Sequence, residues 1–300
     1  MEIGPQRIPQ VVAEIGCNHM GDMELARELV RTAAQFCNVD AVKFQKRNPK
    51  ELLTPEQYDA PHPEPRNSFG RTYGEHREFL ELSLDKHAEL KELCDSLGVV
   101  YSCSAWDLTS AKELAELMPD WIKIPSACNT DAPMMAWLCE HFMGDLHVSV
   151  GMTTRAEERL LLEQLDAHGR LPDTVIYACT SGYPVAVDDL CLREITRLVD
   201  DYGDKVQAIG FSGHHLGIAP DIAAITLGAE WLERHFTLDR TSKGTDHAAS
   251  LEPDGMRRLC RDVRNVAKAL TYRTEEILEV ERASRAKLKT IAKPRIVRAA

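Results

Sequence analysis

WLERHFTLD, residues 231–239, reads as a core strand with polar residues set into its carboxyl end. Trp231, Leu232 and Phe236 belong in a core, yet Glu233, Arg234 and His235 stand between them. Taken alone, His235 would be a satisfied core histidine and the two charges would turn to water. The same device, however, recurs along the chain. Strand-length apolar runs occur at VVAEIG (11–16), AVKFQ (41–45), VVYSCSA (99–105), WIKIPS (121–126), HVSVG (147–151), VIYACT (175–180), AIGFSG (208–213) and EWLERHFT (230–237). Nearly every run carries a polar group near its carboxyl end: Glu14, Lys43 with Gln45, Ser104, Lys123 with Ser126, Ser149, Ser181 with Tyr183, Ser212 with His214, and His235.

Between these runs the helical signals are ordinary. Ser83 precedes a helix with Leu90, Leu93 and Leu97 on one face, and Gly98 stops it. Thr154 and Glu157 form a T-x-x-E capping box ahead of Leu160, Leu161 and Leu165. Pro220 suits the first turn of a short helix that Gly228 ends. Residues 46–80, with five prolines from Pro49 to Pro65, read as a long loop. Eight strands alternating with helices imply a (β/α)8 barrel or a large doubly wound sheet. A doubly wound sheet needs decorated strand ends only at its switch point, whereas all the strand ends of a barrel meet around one mouth. The decoration of every end predicts the barrel, spanning 1–285, with 286–300 as a tail.

Composition bounds the chemistry. A 300-residue chain with 44% apolar content can bury a substantial core, and its net charge of −11 argues against a nucleic-acid or anionic-membrane surface. No window approaches the roughly eighteen apolar residues of a membrane span, and the start of the chain lacks the apolar core of a signal peptide. The nine cysteines show no CxxC and often fall inside apolar runs, as expected of reduced, buried thiols in a cytoplasmic protein.

Lys43 and Lys123 at strand ends would be costly to bury unless they meet an anion. Ser126, Ser149, Ser181 and Ser212 add hydroxyl donors suited to a phosphate or carboxylate gripped from several sides. His214 and His235 end neighbouring strands and could converge on a divalent metal, joined by Asp246 directly or through water. His215 and His247 are the adjacent competitors, while His62, His87, His141 and His168 are expected to be solvated. Glu14, the carboxylate deepest in an apolar strand, either pairs with a lysine or has a raised pKa useful in acid–base work. GxGxxG, GxxxxGK[ST] and GxSxG are absent, so dinucleotide, nucleoside-triphosphate and serine-hydrolase sites gain no support.

The ordered series AEIGCNHMGD, DAVKFQ, IKIPSA, VSVGMTT, CTSGYP, IGFSGHHLG, ERHFTLDR and GTDHAASLEPD resembles the N-acetylneuraminate (sialic acid) synthase family from about residue 10 to residue 285. That resemblance implies a (β/α)8 barrel that condenses phosphoenolpyruvate with an open-chain aldose, releasing phosphate and leaving a 3-deoxy-2-keto sugar acid. It implies a divalent metal, commonly manganese, with magnesium, cobalt or iron as substitutes, and a homodimer or higher homo-oligomer. It places phosphoenolpyruvate against Lys43, Lys123, Ser126, Ser149, Ser181, Tyr183 and Ser212, the metal on His214 and His235, and Glu14, Gln45, Ser104 and Asp246 near the acceptor and the reacting carbons. Glu233 is expected to support the metal site, and Arg234 receives no role.

Several departures matter. Cys128 stands where the family has a glutamate that helps hold the sugar, Ser212-Gly213-His214-His215 stands where the family often has Ser-Asp-His-Thr, and Ser181 replaces a common asparagine, a milder change. Family members continue into a small antifreeze-protein-like domain that supplies an arginine to the acceptor's N-acetyl group, whereas this sequence ends at Ala300. The expected acceptor is therefore an aldose other than N-acetylmannosamine, with Arg66, Tyr73, Glu75, His76 and Arg77 available to replace lost contacts. The competing readings are a 3-deoxy-octulosonate or -heptulosonate phosphate-type synthase, which would use Cys17 as a metal ligand, a pyruvate-dependent lyase or aldolase, and a non-catalytic sugar-phosphate-binding homologue.

Overall fold

The computed structural model describes residues 8–290. Eight parallel strands pair in sequence order and close into a barrel: β1 (Gln10–Gly16), β2 (Ala41–Lys46), β3 (Val100–Ala105), β4 (Trp121–Ile124), β5 (Asp145–Ser149), β6 (Thr174–Cys179), β7 (Ala208–Gly213) and β8 (Trp231–His235). Closure comes from β1 against β8, with Glu14 opposite His235, and β2 sets Lys43 beside Glu14 on the other flank. The barrel expected from the decorated strand ends is the fold.

Strand side chains alternate between the barrel interior and the helix layer. Val11, Ala13, Val42, Phe44, Ile122, Ile124 and Leu232 belong to the main core under the helices. The other parity fills the barrel. Val12, Ala41 and Trp121 pack at its floor, where His147 stacks on Trp121 with ring centroids 4.0 Å apart and meets Trp231 edge-on at 4.7 Å. Tyr177 also lies in this floor, and a Cβ at Gly210 would meet its ring at 2.6 Å, so only glycine leaves room for it. Above this apolar floor the interior positions become Glu14, Lys43, Ser104, Lys123, Ser149, Ser212, Glu233 and His235, all buried.

The helix signals hold with two exceptions. The helix Leu84–Leu97 starts after Ser83 and ends at Gly98 with φ +68°, and Thr154 with Glu157 makes the full capping box of Arg155–Ala167. Leu160 of that helix is 64% exposed, so it does not share the inward face of Leu161 and Leu165. Residues 46–80 are not a loop: Pro49–Leu52, Pro55–Asp59 and Tyr73–Leu80 are helical, and their prolines occupy first turns or the segments between. Proline at the start of a helix removes no hydrogen bond, which is why a proline-rich stretch is compatible with short helices. The last described helix, Glu279–Leu288, runs across the expected boundary at 286, and most of the expected tail lies outside the described residues. Among the described residues no helix is long and apolar enough to cross a membrane.

Candidate active site

Every site residue expected from the sequence except Asp246 lines one cavity of about 220 Å³ at the carboxyl end of the barrel. Asp246 stands just behind it, its Oδ2 3.7 Å from His235 Nδ1. The floor of this cavity is a four-membered ion cluster. Lys43 Nζ lies 2.5 Å from Glu14 Oε2 and 3.6 Å from Glu233 Oε1, and Lys123 Nζ lies 2.8 Å from Glu233 Oε2. Ser104 Oγ accepts a hydrogen bond from Lys43 at 2.7 Å, Ser212 donates to Glu233 at 3.3 Å, and Lys123 sits 3.8 Å above the Tyr177 ring. Two ammoniums and two carboxylates neutralise one another, so the lysines survive burial that would otherwise cost several kcal/mol per ion.

Glu233 is thus the residue that sequence reasoning misassigned. It does not face water, nor does it serve the histidines first: it is the shared counter-ion of both lysines. Strand alternation was the available signal, because Trp231, Glu233 and His235 share one parity. Arg234 has the opposite parity and is fully buried outside the barrel, where Nη1 reaches Gly217 O and His215 Nε2, each at 2.9 Å, and also Asp221 Oδ2. This network clamps the segment after β7 to β8.

Electrostatics divides the two carboxylates. Burial pushes Glu14 up to about 7, with Glu233 adding to the rise and Lys43 opposing it. Burial also pushes Glu233 up, but Lys123 and Lys43 together outweigh it and hold the carboxyl at about 2. One carboxylate is therefore permanently ionised while its neighbour titrates near neutrality, the separation acid–base chemistry requires.

The hydroxyls form a cradle on the opposite wall. Gly151 N donates to Ser126 Oγ at 3.0 Å, and a Cβ at Gly151 would lie 2.7 Å from Ser181 Oγ and 2.8 Å from Ser126 Oγ. Glycine at 151 keeps open a space lined by backbone and hydroxyl donors, suited to an oxyanion. Ser149 is buried beside it.

His214 and His235 have ring centroids 5.4 Å apart, and Tyr183 packs on His214 at 4.3 Å. His214 Nδ1 lies 2.9 Å from Thr180 O, a partner that makes Nδ1 the donor, and the Cys179 thiol also contacts this ring. His235 Nδ1 is buried without a hydrogen-bond partner, and burial lowers the pKa of this ring, keeping it neutral. Two imidazoles facing one another beside a carboxylate, one with an unpartnered buried nitrogen, fit a divalent metal. Among the described residues no cluster of three or more such ligands is assembled, so the two imidazoles, with Asp246 reaching the ion through water, would leave the remaining positions to water or substrate oxygens.

The competitors fall away. His215 Nε2 faces Asp221 at 3.2 Å, and His247 Nδ1 pairs with Thr237 Oγ1 at 2.7 Å. Cys17 Sγ accepts from Arg47 at 3.0 Å and does not line the cavity. Two histidines expected in solvent are buried: His87 pairs with Tyr101 at 2.8 Å and His62 packs edge-on against His76. His141 is exposed and His168 half-buried.

A (β/α)8 barrel whose strand ends carry an ion cluster, an oxyanion cradle and a histidine pair defines a barrel enzyme acting on an anionic substrate. The pattern of the NeuB family matches residues 29–275, and the chain belongs to that family. The human N-acetylneuraminate-9-phosphate synthase is 35% identical over 286 residues, which cover 95% of this chain and 78% of that one. The N,N'-diacetyllegionaminic acid synthase of Legionella pneumophila is 34% identical over 263 residues, covering 87% and 72%. In structure, the chain superposes on the N-acetylneuraminic acid synthetase of Leptospira borgpetersenii with a TM-score of 0.79, covering 94% and 93% at 24% identity. The chain is an enzyme, a transferase of the sialic acid synthase type.

Proposed function

We propose that this enzyme condenses phosphoenolpyruvate with an open-chain aldose at the barrel mouth, giving a 3-deoxy-2-keto sugar acid and phosphate. The observation that carries this reading is the pair of buried lysines, Lys43 and Lys123, facing the glycine-opened hydroxyl cradle of Ser126 and Ser181. Two fixed cations and several neutral donors match a substrate that carries a carboxylate and a phosphate on one small carbon frame. The relatives' names agree on a nonulosonate-type synthase and differ in the sugar, which leaves the acceptor of this chain to its own residues.

The residues divide the work. Lys43 and Lys123 hold the substrate anions and neutralise charge through the reaction, and the ionised Glu233 keeps both ammoniums in place. Ser126, Ser149, Ser181 and Ser212 grip the remaining oxygens. His214 and His235, with Asp246 beside them, would hold a divalent ion, manganese being the family's common metal; bound there, it supplies Lewis-acid polarisation of the aldehyde oxygen. C3 of phosphoenolpyruvate then forms a bond to the aldehyde carbon, and C2 becomes electrophilic. Glu14, titrating near neutrality and hydrogen-bonded to Gln45 at 2.6 Å, takes a proton from the water that adds to C2. The aldehyde oxygen takes up a proton and becomes a hydroxyl, the C2 hydroxyl loses its proton as the C2–O bond to phosphate breaks, phosphate leaves with the bonding pair, and the ketone remains. The direct test is phosphate release from phosphoenolpyruvate across a panel of aldoses. The reading requires release that depends on an aldose and is abolished by a chelator; release without any aldose, or none with every aldose, would refute it.

A further inference from the structure

Next to the barrel mouth, and joined to it through Trp106 and Ala127, lies a second cavity of about 210 Å³. Its polar wall is basic. Arg47, just past β2, is buried with its guanidinium 4.4 Å over the Trp106 ring, and Arg77, from the helix Tyr73–Leu80, lies 5.0 Å over the Tyr73 ring. Stacking against aromatic faces fixes each guanidinium plane, and both Nη groups of Arg47 are engaged by protein partners while its Nε is not.

The counter-charge around this pair is incomplete. Arg47 Nη1 reaches Glu81 Oε1 at 3.3 Å, but its buried Nε has no hydrogen-bond partner. Arg77 donates from Nε to the Tyr73 hydroxyl at 3.0 Å, a neutral acceptor, and among the described residues no carboxylate stands within ion-pairing distance of it. Asp246 feels both arginines, yet its near oxygen stands beside His235. Cys128, on the facing wall, donates its thiol to Trp106 O at 3.1 Å and adds no charge. A pre-positioned guanidinium pair of which only Arg47 has an ion-paired carboxylate is a receptor for an anion with several oxygens.

The second cavity is also in line with the chemistry. Glu14, at the reacting centre, pairs with Gln45, and Gln45 accepts in turn from Arg47, so one chain of contacts leads from the reacting carbons outward. We propose that this side cavity binds a phosphate monoester on the end of the acceptor aldose remote from its aldehyde, so that the enzyme selects phosphorylated aldoses. This rests on the condensation reading above and names the class of acceptor it takes.

The experiment compares kcat/KM for N-acetylmannosamine 6-phosphate and mannose 6-phosphate with the values for the unphosphorylated sugars, at saturating phosphoenolpyruvate and manganese. The wild-type ratio should favour the phosphorylated sugar of each pair by at least about tenfold, and Arg77→Gln should lower that ratio by about tenfold to a hundredfold. Arg77→Lys should retain part of it. Arg71→Gln, which removes a charge from a side chain 91% exposed in the same segment, should leave the ratio where it was and so excludes a long-range charge effect. A wild-type ratio near one, or a ratio that survives Arg77→Gln, overturns the inference alone. If no aldose supports phosphate release, the condensation reading falls and the inference with it. Should Arg77→Gln fail to fold, the wild-type ratio and Arg77→Lys still decide.

Discussion

The two sides of the barrel mouth are made of different material. The ion cluster on the anion-gripping side consists of strand positions: Lys43, Lys123, Glu233 and Glu14 lie on parallel ladders whose register fixes one against the next. The proposed acceptor side is built from segments beyond the strand ends. Arg47 lies past β2, Trp106 past β3 and Cys128 past β4, while Tyr73 and Arg77 come from an inserted helix. A ladder cannot shift by one residue without inverting every side chain, whereas a loop can change its residues at little cost to the fold. On the proposed function, the chemistry belongs to the frame and the choice of sugar to its attachments.

Removing a residue of the ion cluster or of the histidine pair should be far more damaging than removing a residue of the side cavity. The largest effect is expected for His214→Ala and His235→Ala, each losing bound metal and falling to background activity while the fold persists. His215→Ala should keep its metal but lower Tm, because it breaks a fully buried contact with Asp221 and Arg234. Metal analysis of the purified variants decides; full metal in His214→Ala with loss in His215→Ala would move the ligand by one residue.

Glu14→Gln comes next, with a loss of about 10²–10⁴-fold in kcat, the usual range for a general base. Its pH signature is specific. Glu14 must lose its proton to act on water, so kcat/KM should rise as pH rises through about 7, and that limb should vanish in Glu14→Gln. Bound phosphoenolpyruvate brings negative charge beside the carboxyl and raises its pKa further, so the limb in kcat should lie higher than the limb in kcat/KM. An unchanged limb in the variant would assign the titration to another group.

Lys123→Met should cost about 2–4 kcal/mol of transition-state binding, roughly 30-fold to 1000-fold in kcat/KM for phosphoenolpyruvate. The KM for the aldose should move much less. Equal effects on both would erase the division between the two sides. The same substitution leaves Glu233 with Lys43 as its remaining cation, at 3.6 Å, and a lower Tm is expected.

The sequence disclosed the frame because strand ends can be read one at a time. Apolar runs locate the strands, the last residue before each loop reports the mouth, and the family resemblance sorts those residues into roles. It did not disclose Glu233, because a carboxylate between an apolar residue and an arginine looks solvated until the strand's parity is traced to Lys43 and Lys123. Arg234 was opaque for the complementary reason: its partner Asp221 lies in the helix Ala219–Thr226, and no spacing rule joins them. The side cavity was hidden more thoroughly. Tyr73 and Arg77 were visible as candidates, but reading 46–80 as a loop concealed the helix that turns them toward Arg47.

The smallest effect is expected where the sequence departs most from its family. Cys128 occupies a position where a carboxylate would be charged, but burial pushes its thiol up to about 12, so the side chain stays neutral at any working pH. Among the described residues its thiol makes one hydrogen bond, to the Trp106 carbonyl, and a thiol is a weak donor. Cys128→Ala should therefore change kcat/KM for the preferred aldose by no more than about fivefold, equivalent to about 1 kcal/mol. Cys128→Glu tests the opposite sense. It would add a carboxylate to the wall facing Arg47 and Arg77, and the preference for a phosphorylated aldose should fall or invert. If Cys128→Ala instead removes most activity, the thiol itself touches the sugar. If Cys128→Glu leaves the preference intact, the cavity's charge does not select the acceptor.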